Sequence, residues 1–257
     1  MRRFEVAAIL DDAWGMTRRS YWSWWPVVLL AVALPVLLQL LSGALSALSA
    51  NLDIDFLSVV FGFLAVLVYL AGLLVSAWMA LGLIRNAYHV SGGGRPSVVL
   101  LFSLERYGWF LVAGLLYVGI VVLGLFLLVI PGIIFGFMLM LFGYSLVSGE
   151  CGNGFAALGM SWDRISRQFW GFVGLRVVLL AVPMALVLLG ALVLGLVGAG
   201  VFGTMTAIGG GGGGFLSVIL GLIGMVGLVF AYVFAVIFTI VSDGLAFRRL
   251  AAEDVPA

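Results

Sequence analysis

Between Tyr107 and Gly149 the chain runs for 43 residues without a formal charge. Most of that run belongs to VVLGLFLLVIPGIIFGFMLMLFGYSLVSGE, Val121 to Glu150, which closes on a carboxylate. A helix that crosses a bilayer needs about 20 apolar residues, so the length suits two helices joined by almost no loop. Pro131-Gly132 is the predicted reversal, because proline lacks the N–H that continues a helix and glycine tolerates positive φ. The competing reading is a single long helix kinked at Pro131. Hydrophobic residues make up 65% of the chain and charged residues 9%, against roughly 45–50% and about 25% in soluble domains. A water-soluble core is excluded. The expected class is all-α: a polytopic membrane protein, one integral membrane domain over residues 1–257.

Charge placement then orients the chain. The net charge is only +1, but the twelve cations are all arginine and fall in four clusters. These are Arg2, Arg3, Arg18 and Arg19; Arg85, Arg95 and Arg106; Arg164, Arg167 and Arg176; and Arg248 and Arg249. The connections between them, Asn51–Asp55, Pro131-Gly132 and the uncharged Gly198 to Gly214, hold no cation. Positive residues flank spans on the cytoplasmic side. The pattern predicts six transmembrane helices as three hairpins in the cytoplasmic (inner) membrane, with both termini cytoplasmic. The expected spans are about 26–45, 56–84, 109–130, 132–149, 170–197 and 215–241. A cleaved signal peptide ending near Ala50 is the other reading of the N-terminus, but the run before it is long enough to span and its n-region is long and amphipathic.

Cytoplasmic interfacial amphipathic helices are expected at 4–19 and 155–169, with a shorter interfacial segment at 96–106. In the first, Val6, Ile9, Leu10, Ala13 and Met16 share a face opposite Glu5, Asp11, Asp12, Arg18 and Arg19, a pattern that lies in a membrane interface. In the third, Phe155, Leu158, Trp162, Ile165 and Phe169 recur at steps of three and four. Tyr21, Trp22, Trp24 and Trp25 form an aromatic belt ahead of Pro26, which is suited to start the first span. Gly72, Ser76 and Ala80 form a small-residue row that admits a close helix neighbour. Pro183 is expected to kink the fifth span. Gly209–Gly214 reads as a flexible external linker, since no lysine or strand accompanies it as a phosphate loop requires.

Chemistry is sparse. His89 is the only histidine and has no carboxylate or cysteine neighbour, so no metal site is expected. The single cysteine, Cys151, excludes an intramolecular disulfide. No nucleophile with a base and no intramembrane carboxylate is apparent between the clusters, which argues against an enzyme and against an ion-coupled carrier. No catalytic residue, cofactor or nucleic-acid partner is expected. Arg176 lies only about 9 Å beyond the start of span five, within snorkelling reach of headgroups. One charged constellation remains: Glu150 with Arg164, Arg167 or Arg176. A carboxylate in that partly dry zone is best kept ionised by an arginine, so Glu150 is expected to pair with Arg176 or Arg164 and tie span four to the third surface helix.

The order LGLFLLVIPGII, a short span ending at Glu150, Ala156-Ala157-Leu158, Ser161 and then Phe169-Trp170 resembles a broad bacterial and archaeal family of six-helix membrane proteins. That family has an IPG-type turn and no assigned activity, and is related to the membrane domain preceding some glycerophosphodiester phosphodiesterases. The resemblance implies a fold, not a reaction, because catalysis in those relatives belongs to a soluble domain not expected here. The oligoglycine loop departs from the pattern. The expected function is a non-enzymatic accessory or scaffold protein whose partners are membrane lipids and a membrane-protein partner or oligomer. The alternatives are a permease-like protein for a lipid or small apolar solute and a regulatory membrane domain for a separately encoded enzyme.

Overall fold

The computed structural model describes residues 5–52, 55–181, 183–185, 188, 190 and 213–252, which form helices and short turns with no strand among them. The helices are α1 (Val6–Ala50), α2 (Asp55–Ser91), α3 (Val98–Leu101), α4 (Tyr107–Leu127), α5 (Val129–Met138), α6 (Phe142–Val147), α7 (Gly154–Arg167), α8 (Phe169–Ala185) and α9 (Gly213–Ala252). Five stretches are long and apolar enough to cross a membrane: α1, α2, α4, the pair α5–α6, and α9 from Val229. The pair α7–α8, bent by 97°, makes a sixth if it is counted as one span. The chain is therefore all-α and multi-pass in character. Phe126, Leu115, Phe56 and Ile130 are each more than 70% exposed, a surface matched to lipid and not to water.

α1 departs from the expected division into an interfacial helix at 4–19 and a span from Pro26. It is one continuous helix of 45 residues with Pro26 and Pro35 inside it. At 1.5 Å per residue it is about 68 Å long, over twice the hydrocarbon thickness of about 30 Å. Nothing between Met16 and Pro26 breaks it; along this stretch the Ser20 hydroxyl donates to the Met16 carbonyl at 2.7 Å and accepts from Trp24 Nε1 at 3.2 Å. Trp24, Val27 and Val28 are buried on either side of Pro26, so packing holds the helix where one hydrogen bond is missing. The aromatic belt divides accordingly: Trp24 is core, whereas Trp22 is 73% exposed.

The turn expected at Pro131-Gly132 lies three residues earlier. Leu128 alone is extended, with φ −157° and ψ 128°, and α5 begins at Val129. Pro131 falls in the first helical turn, where its missing N–H has no partner to lose. Gly132 is helical without positive φ; it serves a close approach instead. A Cβ on Gly132 would lie 2.7 Å from the Leu125 Cα, and one on Gly124 would lie 2.8 Å from the Gly132 Cα. These two glycines let α4 and α5 touch backbone to backbone.

The expected span 132–149 is broken at Leu139–Leu141 into α5 and α6. Ser161, fully buried on α7, joins the break: its hydroxyl donates to the Met138 carbonyl at 2.9 Å and accepts the Leu141 N–H at 3.1 Å. A side chain inserted into the ladder is a recognised cause of a helix break. Span two continues past 84 to Ser91, and Gly82 admits α3, since a Cβ there would meet the Leu101 carbonyl at 2.6 Å. Of the small-residue row, Gly72 faces Leu38 and Gln39 of α1, while Ala80 is exposed.

The main core joins α1, α2, α8 and α9 through Ile9, Trp24, Met79, Phe172, Leu175, Ile237 and Phe247. A second packs Leu81, Phe110, Phe142, Leu146 and Leu158 between α2, α4, α6 and α7. Pro183 lies within α8. Gly209–Gly212, residues 191–197 of span five, and Arg2 and Arg3 lie outside the described residues; Gly213 and Gly214 open α9.

Candidate functional site

The described ends of the helices are laced together by arginines. Arg249 of α9 forms an ion pair with Asp12 of α1. Its neighbour Arg248 donates to Ser91 Oγ and to the Tyr88 carbonyl of α2, both at 2.8 Å, with its guanidinium 4.1 Å from the Tyr88 ring centroid. Arg85 of α2 donates to the carbonyls of Ser103 and Glu105. Arg106 donates to the carbonyl of Leu146 at 2.6 Å, an acceptor in the last turn of α6, and to that of Cys151 in the following turn at 3.1 Å. Arg106 is also the one non-glycine residue with positive φ, 58°, among the described residues. A left-handed backbone costs roughly 1–2 kcal/mol for such a residue, and here it aims a guanidinium at two carbonyls.

Gly149, with φ 86°, turns the chain out of α6, as glycine commonly does after a helix. That turn presents Glu150 to α7, where it forms an ion pair with Arg164. Arg164 is 5% exposed and lies 4.4 Å from the centroid of the Phe247 ring of α9, so a single guanidinium touches three parts of the fold. α7 itself is started by Asn153, whose Oδ1 accepts the Ala156 N–H at 2.8 Å. Its buried face carries Ala157, Leu158, Ser161, Arg164 and Ile165, which leaves Phe155 63% exposed. A shallow cleft of about 480 Å3 opens beside it, lined by Glu150, Met160, Asp163, Arg164 and Arg167 among others.

Of the sequence candidates, then, Glu150 and Arg164 are brought together, Arg167 lines the same cleft, and Arg176 is elsewhere. Arg176 does not snorkel outward. It is 4% exposed and pairs with Asp243 of α9 at 2.7 Å, and Asp243 is 6% exposed. Tyr144, also buried, donates to the Ile240 carbonyl at 2.7 Å three residues before Asp243, and Phe172 lies 5.5 Å from the Arg176 guanidinium. Among the described residues, the pair is joined through one nitrogen and one oxygen, and Arg176 Nε and Asp243 Oδ1 have no hydrogen-bond partner. A buried, singly bonded ion pair is costly to hold in an apolar bundle, which marks it as a functional candidate.

Asp243 escaped the sequence reading because span six was ended at Val241. α9 instead continues without a break to Ala252. The available signal was the persistence of apolar residues at Leu245, Ala246 and Phe247 beyond Ser242-Asp243-Gly244. Arg176 in one span and Asp243 in another are lone opposite charges, and such charges tend to find each other.

Cys151 is buried with its Sγ 3.6 Å from Met160 Sδ. Burial pushes its thiol above the ordinary value and the Glu150 carboxylate adds to this, while Arg164 and Arg106 pull the other way. His89 is exposed, and among the described residues no three His, Cys, Asp or Glu side chains converge as metal ligands would. No family model, curated protein or solved structure matches the chain.

Proposed function

We propose that this chain is a non-enzymatic accessory or scaffold protein of the cytoplasmic membrane, with six spans in three hairpins, both termini cytoplasmic, and α7 lying in the interface. One observation carries the reading. The rim arginines Arg85, Arg106, Arg164, Arg248 and Arg249 are spent on carbonyls and carboxylates of the chain itself, while the outward faces are apolar. Such a body has its polar chemistry turned inward and offers the surroundings a surface suited to lipid or another membrane helix. The resemblance carried by LGLFLLVIPGII belongs to the same proposal and supplies no reaction. The test is isolation from native membranes under mild detergent with quantitative mass spectrometry. One membrane protein returning in a fixed ratio is expected. Return of the chain alone, with no protein enriched over a control pull-down, counts against the scaffold.

A second reading, a permease-like protein, is favoured by the buried Arg176–Asp243 pair. Polar groups between spans are where transporters hold or pass their cargo. Uptake of a small apolar solute or lipid into proteoliposomes, lost in an Asp243→Asn variant that still elutes as a single folded species, would turn the assignment toward transport.

A further inference from the structure

α1 carries a line of exposed side chains from its charged turns into its apolar part. Trp14, Arg18 and Trp22 are spaced by four, and Leu29, Val36 and Leu40 continue at seven, seven and four, so all six fall on one helical face. Trp14 is 52% exposed, and Arg18 and its neighbour Arg19 are exposed. Neither arginine enters an ion pair among the described residues, in contrast to the rim arginines above. The rings are held in place from behind. Trp14 packs edge-on to Phe234 of α9 with centroids 5.0 Å apart, and Trp22 packs edge-on to Phe230 at 6.3 Å and to Tyr21 at 5.6 Å. Tyr21 in turn donates to the Phe230 carbonyl at 3.0 Å. The one carboxylate on the same face is Asp11, about 10 Å from Arg18 along the axis.

The spacing along α1 matches a phospholipid. Arg18 and Leu29 are about 16 Å apart along the axis, close to half of the roughly 30 Å hydrocarbon core. A phosphate at Arg18 and Arg19 therefore leaves an acyl chain of the same leaflet running past Trp22 to Leu29. Guanidinium groups take phosphate oxygens in pairs, and tryptophan sits at headgroup depth with its ring against the first methylenes. Because α1 is unbroken at Pro26, the charged and apolar parts of this face keep a fixed register. We propose that this face of α1 is a binding site for an anionic phospholipid of the adjoining leaflet, with Arg18 and Arg19 holding the phosphate and Trp22 and Leu29 flanking the chain. The proposal deepens the lipid-binding part of the scaffold reading.

The test uses the full chain in phosphatidylcholine nanodiscs, titrated with phosphatidylglycerol or phosphatidylcholine carrying brominated chains. Bromine quenches tryptophan on contact. The anionic probe is expected to quench at about tenfold lower mole fraction than the neutral one, with the preference shrinking as salt rises. The double substitution Arg18→Gln, Arg19→Gln is expected to erase most of that preference, whereas Arg95→Gln, an exposed arginine elsewhere, leaves it unchanged. Equal quenching by the two probes in the wild type overturns the site. So does a double variant that elutes as a single species and keeps the wild-type preference. The protein pull-down is an independent readout: a stoichiometric partner with no lipid preference defeats only the lipid site, and lipid preference without a partner defeats only the protein-scaffold reading.

Discussion

Arg176 of α8 and Asp243 of α9 meet at 2.7 Å inside the helix bundle, each more than nine-tenths buried. Removing one partner strands the other charge away from water. Asp243→Asn is expected to cost about 3–5 kcal/mol, and Arg176→Met with Asp243→Leu less than the two single losses added together. Unfolding in mixed micelles by denaturant gives both numbers. Additive losses would show that the two side chains do not interact.

Gly132→Ala puts a methyl group where the backbone of Leu125 stands. Neither the Leu125 backbone nor a rotamer change can clear that space, so α4 and α5 must separate, at about 1–3 kcal/mol. Gly124→Ala acts in the same direction. Gly227→Ala is the control: among the described residues, and apart from its own helix backbone and chain neighbours, no atom lies within 4 Å of its Cβ position, and alanine favours helix. The midpoint of thermal unfolding in detergent is expected to fall for the first two and to hold or rise for the third.

Ser161→Ala deletes a donor to the Met138 carbonyl and an acceptor for the Leu141 N–H together. Both backbone groups are then left in an apolar interior, at about 1–3 kcal/mol in total. Hydrogen exchange of the Leu139–Leu141 segment is expected to accelerate more than exchange in α9. Unchanged protection there would remove Ser161 from its bridging role.

Cys151 provides the pH dependence. Its thiol is raised by burial first and by Glu150 second, so maleimide labelling of the folded protein is expected to be slow at neutral pH and to rise only above the usual thiol range. The sign for stability follows from the same shift. A thiol that ionises less readily in the fold than in the unfolded chain stabilises fully below the ordinary value. That contribution is lost as pH climbs from the ordinary value through the raised one. Arg164→Gln removes a cation that favours the thiolate and is expected to slow labelling further.

Orientation is open to chemical mapping. In a Cys151→Ser background, Ser46→Cys near the end of α1 and Arg95→Cys beyond α2 stand on opposite sides of the proposed hairpin. An impermeant maleimide added to right-side-out vesicles is expected to label Ser46→Cys and to leave Arg95→Cys untouched until the vesicles are opened. The reverse pattern would invert the whole topology.

Apolar stretches were legible because membrane spanning imposes a length on them and charges cannot hide inside them. Residues 56–84, 109–130 and 132–149 each overlap observed helices on those grounds. Boundaries were not legible, because they depend on contacts distant in sequence. Leu128 carries no sign of being the corner; α5 starts there because Gly124 and Gly132 let the two backbones touch. The break at Leu139 is set by Ser161, twenty residues downstream of Leu141. Glu150 and Arg164 were accessible to reasoning because both are charges near a short turn. Asp243 was not, because a polar residue in an apolar run reads as the end of a span unless its partner is known.

Synthesis gives the Ser161 bridge a temporal meaning. α5 and α6 leave the ribosome ahead of Ser161, the residue that satisfies the backbone between them. Until α7 emerges, that bend is an incomplete joint, with the Met138 carbonyl and the Leu141 N–H still without the hydroxyl that pairs them. The order in which these segments settle is thus written into the chain: the bent helix has to wait for the segment that follows it.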